Sequence, residues 1–535
     1  MTTLGAIVAL SALGPLETTR WLVIGVTVAA FIGAWVVARR TARRTPSHPI
    51  AGAYDADIIA TDLLGSRGTA VVEPPIVGVF EAAFLVVLMS YAFFDRAFAW
   101  LHVPGTPLFV GELVLLLGVG AMLSHATSVL TAIRRSPPLK LLGLFMTWGL
   151  ALLVLFGVSH GIDAVRDSAM WYYGAAALLT VFLLMSDPLR IQRWLATYAR
   201  ILPWLTGWLF VAVILEAIRG DGPPYVPDSF VSIFSHSPGN TAVILVIGLA
   251  FVWLVDRDSF YFTPSQRIAI TAASGALLLL VGLKNRGGLV AGAIGIIAIL
   301  IFMHRRRFDL MVVLVGIGTL LAAVAIVSQV SVALFGDREL SAEQFVDNIT
   351  SIVSPGSGNE SEVGTTKWRV DLWVQVMEDV NSEFPLTGYG PGPDLGRIYN
   401  VAGTGDITLR NPHNSHVGVI ARFGWVGIGL WIVMWTAWAL LLVDLRARLA
   451  RLARFDEAGL IAVLLIGAGM ILVNAFFDPT VEGPQVGFWL WFVFGTGAAL
   501  QLVYHGFPSI SIDGHKSGVR ATTLTTAASL DKHPE

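Results

Sequence analysis

The sequence predicts an all-α, polytopic integral membrane protein with about 12–13 transmembrane helices and one large extracytoplasmic loop. Hydrophobic residues make up 55% of the 535 and charged residues only 13%, with mean hydropathy +0.71. That is too little charge to cover a soluble surface of this size. Apolar runs of roughly 17–25 residues, the length that crosses a bilayer, recur along the chain. Arg and Lys segregate to alternate connections between those runs, as the positive-inside rule requires.

Taken in order, the runs are 21–38, 76–94, 109–125, 139–158, 169–186, 202–218, 241–255, 267–283, 288–303, 309–328, 424–443, 457–476 and 487–505. Leu4–Leu13 is too short to span and suits a position along the interface. Met1–Arg20 lacks a basic start and a clean small-residue cleavage site, so no cleavable signal peptide is expected. One set of connections carries 23 of the 35 basic residues, in clusters such as Arg39–Arg44, Arg305–Arg307 and Arg446–Arg454. This side is assigned to the cytoplasm. The opposite short connections hold five: Arg96, Arg166, Arg219, Lys284 and Arg286. The expected organisation is helices 1–10 over 1–328, an outward-facing catalytic loop over 329–423, helices 11–13 over 424–505, and a disordered cytoplasmic tail over 506–535. Net charge near neutrality (−2) argues against a nucleic-acid partner, and the absence of cysteine excludes disulfides, thiolate metal sites and thiol nucleophiles.

Within the loop, Ser354–Gly364 is turn-rich and expected to be mobile. Thr366–Val380 reads as an amphipathic helix, with Trp368, Leu372, Val376 and Asp379 stepping along it. Where the chain re-enters the membrane it runs Arg410-Asn411-Pro412-His413-Asn414-Ser415-His416, followed by Gly424 and Gly427. Asn411 is placed to cap a helix whose first residue is Pro412. His413 and His416, three apart, would then share a face, and Gly424 would end this helix before the eleventh span. Histidine titrates near neutrality, which makes His413 a general-base candidate. The plainer reading, a solvated loop histidine, is outweighed by its spacing to the two glycines. His416 is either a packing or an orienting partner.

Lys284-Asn285-Arg286-Gly287-Gly288 forms a tight outer turn between two spans. Glycines there let a phosphate approach the backbone and Arg286 can grip it with two parallel hydrogen bonds; the plainer reading, snorkelling anchors, suits Lys284 better. Arg166-Asp167 precedes the fifth span and Arg219 ends the sixth, three residues after Glu216. A local ion pair is the plainer reading for both. Nevertheless Arg166, Arg219 and Arg286 all lie at outer helix mouths and can converge on one diphosphate, with Arg369 and Arg410 as further candidates. Gly388-Tyr389-Gly390-Pro391-Gly392 supplies close backbone approach or simply a tight turn. Glu81 and Glu112 lie in spans, where pairing with neighbours is expected.

Together these residues resemble the bacterial O-antigen ligase/O-antigen polymerase superfamily. Four features carry the likeness, from about the third span to the eleventh. They are Arg166-Asp167 before a span; Arg286-Gly287 in an outer turn; Arg369…Trp373…Pro385-Leu386-x-Gly388-x-Gly390-Pro391-Gly392; and His413-Asn414 with Gly424 and Gly427. The last is the most specific. The superfamily often has an arginine shortly before a Pro-Asn-x-x-Ala segment. Here that segment reads Pro238-Gly239-Asn240-Thr241-Ala242, with an inserted glycine and Arg219 as the nearest arginine.

The resemblance implies a membrane glycosyltransferase, a cell-envelope polysaccharide ligase or polymerase. It would move a glycan from a polyprenyl-diphosphate carrier to an acceptor hydroxyl on the outer face of the cytoplasmic membrane, inverting and without metal or cofactor. The acceptor would be a glycan, a lipid or a protein. His413 corresponds to the family's base or acceptor-positioning histidine and Arg286 to its diphosphate-binding arginine. Arg166, Arg219, Lys284, Arg369, Arg410, Asn414 and His416 are the expected substrate-binding residues. Two rival readings stand beside it. Asp55-Ala56-Asp57 resembles the acidic motif of metal-dependent transferases that use polyprenyl-monophosphate sugars, but its loop is assigned to the cytoplasm. A lipid-linked glycan flippase or transporter would usually show internal repeats and broken mid-membrane helices, and neither is evident.

Overall fold

A computed structural model of the protein describes residues 75–303, except 104–105, 107, 124, 220–222, 228 and 256–260, together with 360–399 and 410–505. The expected spans 21–38 and 309–328, the Asp55/Asp57 loop and the tail lie outside the described residues. So do the side chains of Arg219, Lys284 and Arg286.

The helices are α1 (Pro75–Phe94), α2 (Val110–Leu123), α3 (Ala126–Arg135), α4 (Pro137–His160), α5 (Ala175–Ser186), α6 (Arg190–Arg219), α7 (Pro238–Ala250), α8 (Pro264–Lys284), α9 (Arg286–Phe302), α10 (Glu360–Ser382), α11 (Ser415–Arg451), α12 (Phe455–Asn474) and α13 (Pro484–Tyr504). Among the described residues nine helices are long and apolar enough to cross a membrane, and the fold is an all-α, multi-pass membrane bundle. Two expected spans differ. The run 109–125 is the first limb of a pair, α2 and α3, bent by 93° to one another. The run 288–303 is the shorter α9, 17 residues long. The turn-rich segment 354–364 is already helical from Glu360 onward.

Burial sorts the spans into two shells. Pro238–Val255, Ala169–Ser186 and Pro484–Tyr504 are enclosed on nearly every side, whereas Val77–Phe94 and Pro137–His160 present most of their apolar surface outward. With lipid as apolar as leucine, packing between such helices depends on close approach rather than on water exclusion. At the α12 contact with the π-helical turn Phe251–Val255, a Cβ on Gly459 would lie 2.0 Å from the Leu254 carbonyl oxygen. Only glycine fits there.

Polar groups pin both ends of the bundle. At one end the fully buried Arg190 pairs with Glu81 at 2.8 Å, and Trp194 donates to the same carboxylate. The bland expectation for Glu81 and Glu112 is met, Glu112 accepting from Tyr172 at 2.8 Å. At the other end the buried Asp95 accepts from the Ser237 amide (2.6 Å) and the Asn240 side chain (2.9 Å), while Asn474 donates to Asn240 and Thr480. These bonds bring the ends of α1, α7 and α12 together, and the entry to α11 lies at this same end, where the Ser415 amide donates to the Ala475 carbonyl at 2.8 Å.

The longest helix among the described residues, α11, is broken at Gly424, which adopts φ 63°, ψ −165°. The sequence expectation of a glycine break before the span holds. A break frees backbone groups that apolar surroundings cannot solvate. Three find partners outside the helix: the Ala421 carbonyl accepts from Tyr389 N–H (2.8 Å), the Phe423 carbonyl from the Trp148 indole (2.9 Å), and Trp425 N–H donates to the Pro385 carbonyl (2.9 Å). A Cβ at position 424 would lie 2.2 Å from the Leu386 carbonyl oxygen. Gly424→Ala is therefore expected to destabilise the protein by at least about 1–2 kcal/mol, through left-handed strain and this clash. Gly429→Ala, five residues on in open space, should leave the melting temperature in detergent unchanged or slightly raised.

Candidate functional site

The site is assembled by α10 lying on α11. Leu372, Val376 and Val380 recur at i, i+4 and i+8 and are buried. This face fixes the N-terminal half of α10, with Trp368 and Arg369, beside the entry to α11. Trp373 clamps that entry by donating its indole N–H to the Pro412 carbonyl at 2.6 Å.

The helix start differs from the sequence expectation. Asn414, not Asn411, is the cap: its side-chain oxygen accepts from the amides of His416 (2.9 Å) and Val417 (3.1 Å). Asn411 instead accepts from the His413 amide at 3.2 Å, closing a local turn that holds Pro412 outside the helix. His413 thus precedes α11 and does not share a helical face with His416. It adopts φ 51°, a left-handed conformation uncommon for a residue with a Cβ.

The His413 ring packs edge-on to Trp368 at 5.9 Å, and its Nδ1 is buried without a hydrogen-bond partner. Burial, followed by the positive fields of Arg369 and Arg96, lowers its pKa to about 4. The ring is neutral at pH 7, and a neutral imidazole keeps one ring nitrogen able to accept a proton. Arg369 donates to the Phe477 carbonyl at 3.1 Å and lies over the Trp368 ring. Burial raises the carboxyl pKa of Asp478 while Arg369 and Arg96 oppose that rise, so the two guanidinium groups, His413 and Asp478 share one electrostatic neighbourhood. The Arg286-Gly287 turn borders it. A Cβ on Gly287 would lie 2.7 Å from that of Phe477, the residue whose carbonyl holds Arg369. Asn285 caps α9 by accepting from the Gly288 amide at 3.0 Å, and Lys284 is the last residue of α8. His416 is placed elsewhere. Its Nε2 is 2.9 Å from the Leu472 carbonyl and its ring packs at a tilt of 42° against Phe476, so it serves the α11–α12 contact.

A second cluster stands alongside. Asp167 accepts from the Gly392 amide (3.0 Å), Arg410 (3.3 Å) and the buried Arg422 (3.0 Å). Arg410 also faces Asp163 (3.4 Å) and Asp394 (3.8 Å), and Arg422 donates to the Pro393 and Arg410 carbonyls. Together they lock the Gly388–Gly392 turn against α11. Arg166 does not pair with Asp167 but makes an exposed pair at the rim of the cluster with Asp163, at 3.8 Å. Beside the cluster, burial raises Glu482 to about pKa 8, with Arg422 opposing and Asp167 reinforcing the rise. Its Oε1 is buried without a partner.

Sequence reasoning passed over Arg96, Asp167, Arg422, Asp478 and Glu482 as site residues. The available signal was charge at the edge of apolar runs, as in Arg422 two residues before Gly424. Among the described residues no group of three or more His, Asp or Glu side chains is arranged to hold a metal ion.

Residues 270–432 match the family model described as O-antigen ligase. The matched segment contains Arg286, Arg369, Arg410 and His413 and ends just beyond the Gly424 break, leaving Arg166 and Arg219 outside it. No curated protein matches the chain.

The two adjacent residues Arg166 and Asp167 should separate cleanly. Asp167→Ala strands the buried Arg422 and is expected to cost about 3–5 kcal/mol. Arg166→Ala removes only an exposed pair and should stay within about 0.5 kcal/mol of wild type. Thermal unfolding of both variants in the same detergent provides the comparison.

Proposed function

We propose that the chain, whose residues 270–432 match the O-antigen ligase family model, transfers a glycan from a polyprenyl-diphosphate carrier to an acceptor hydroxyl on the outer face of the cytoplasmic membrane. The observation that carries this reading is the neutral His413 ring, its Nδ1 without a hydrogen-bond partner, lying in the positive fields of Arg369 and Arg96. In the proposed reaction the acceptor hydroxyl gives its proton to His413 as its oxygen attacks the anomeric carbon. The bond from that carbon to the diphosphate oxygen breaks on the opposite face, and the lipid diphosphate leaves with inversion. Arg369, Arg96 and Arg286 stabilise the charge that develops on the diphosphate, a preorganised electrostatic role that needs no proton transfer. Asn414 and Trp373 hold the histidine-bearing turn, and the Asp167–Arg410–Arg422 cluster holds the glycine turn beside it.

His413→Ala should lower transfer by roughly 10²–10⁴-fold, the usual worth of a positioned base, while lipid-linked donor accumulates in the membrane. Arg286→Lys keeps the charge but loses the planar two-toothed grip, so turnover should fall sharply with normal membrane insertion. EDTA should leave wild-type turnover unchanged. Wild-type rates in purified His413→Ala protein would remove the base assignment.

The pH profile gives an independent test. A base with a pKa of about 4 is far from its optimum near the working pH. A bound diphosphate, being anionic, offsets the Arg369 and Arg96 fields and raises it. The acid limb of kcat/KM, which reports the free enzyme, should therefore lie near pH 4, and that of kcat at higher pH. Arg369→Gln should move the kcat/KM limb upward but keep it below the ordinary histidine value, because burial is the larger cause and persists.

A further inference from the structure

The surface above the Gly424 break carries an apolar patch that no hydrogen bond or substrate role explains. Leu386 is 64% exposed, Trp425 42% and Phe384 36%. The three are held together by backbone: Trp425 N–H donates to the Pro385 carbonyl at 2.9 Å, and the Leu386 carbonyl lies over Gly424, where no side chain fits. The Trp425 indole N–H donates to Asn381 Oδ1 at 2.7 Å, so the ring's polar edge faces the end of α10.

Below Trp425 the exposed residues of α11 continue as Gly429, Ile432, Val433, Thr436 and Leu440. At about 100° per residue these six positions fall within an arc of about 100°. They form one face of a membrane-spanning helix, the face turned to lipid. Trp425 heads that face, and Phe384 and Leu386 extend it past the break. Isolated exposed apolar residues need no explanation, but a patch continuous with a lipid-facing surface does.

We infer that the Phe384–Leu386 turn is a membrane-interface wedge that inserts with Trp425 into the headgroup and upper acyl region on the side of the bundle that carries α10. Trp suits that depth, with an apolar body and one polar edge, and turns or helices at this level typically bury their apolar side by roughly 5–10 Å. The polar run Asn381-Ser382-Glu383 immediately before the wedge marks where the chain leaves the apolar layer. The consequence is mechanical. The wedge pins the C-terminal end of α10 to the bilayer, and α10 is the helix that carries Arg369 to His413. The inference requires only that α11 spans a membrane and is independent of the reaction proposed above.

The chain contains no cysteine, so Leu386→Cys introduces a single thiol, and an exposed side chain is lost without unpacking the core. An environment-sensitive fluorophore at this position, in nanodiscs of phosphatidylethanolamine and phosphatidylglycerol, should emit to the blue of the same label at Gln375, an exposed position on α10. It should be quenched by nitroxide on shallow acyl carbons and spared by aqueous iodide, with the Gln375 label showing the reverse. Phe384→Cys should behave like Leu386→Cys. Equal iodide quenching at Leu386 and Gln375 would place the turn in water and overturn the inference. Protection of Leu386 from both quenchers would mean that protein covers the patch, which overturns it equally.

Discussion

The buried Arg422 guanidinium is the constraint around which this end of the bundle is organised. A charge at the start of an apolar helix cannot remain unpaired, and its demands exceed what one carboxylate supplies. Asp167 comes from the short helix before α5, the carbonyls of Pro393 and Arg410 from the two arms of the loop. Satisfying one side chain therefore fixes three chain segments that are far apart in sequence. The glycine turn, the return of the chain at Arg410 and the entry to α11 take their places from it. His413 sits three residues beyond Arg410 and inherits its position.

Two kinds of cation then coexist at this end, and their surroundings tell them apart. Arg422 and Arg410 are met by carboxylates and carbonyls whose charge they largely cancel. Arg369 and Arg96 instead project their fields onto a neutral histidine and a carboxyl whose ionisation burial resists. The first pair holds the framework. The second pair sets a positive potential at the buried His413 nitrogen, the electrostatic condition for receiving an anionic group beside a base. In the proposed reaction the donor's diphosphate completes that balance.

Much of the fold was legible because membrane spans are written in composition. The runs at 76–94, 139–158 and 457–476 fall within a few residues of α1, α4 and α12. Their boundaries were less legible, since hydropathy marks where the chain becomes apolar, not where it becomes helical. Pro238, Pro264 and Pro484 start helices about one turn before the runs read at 241, 267 and 487. The same proline rule failed at Pro412, because Asn411 spends its side chain on the His413 amide and leaves capping to Asn414. A local rule cannot decide between two asparagines three residues apart when a tertiary clamp, here Trp373 on the Pro412 carbonyl, holds the turn open.

The site was legible where chemistry and spacing coincide, and obscure where direction matters. His413, Arg286 and Arg369 could be picked from motif and topology, and the structure sets Arg369 on the Phe477 carbonyl and Gly287 against the Phe477 side chain. Arg166 and Asp167 are neighbours in sequence, yet one faces outward beside Asp163 and the other inward to Arg422. The choice is set by the orientation of a six-residue helix, Ile162–Asp167, that no periodicity of its own could reveal. Asp478 and Arg96 belong to short connections whose charges read as surface until the helix ends are brought together by Asp95, Asn240 and Asn474. In a bundle whose spans are nearly uniform in composition, the information that separates framework from function lies in how the helix ends meet, and here a few buried polar bonds determine that meeting.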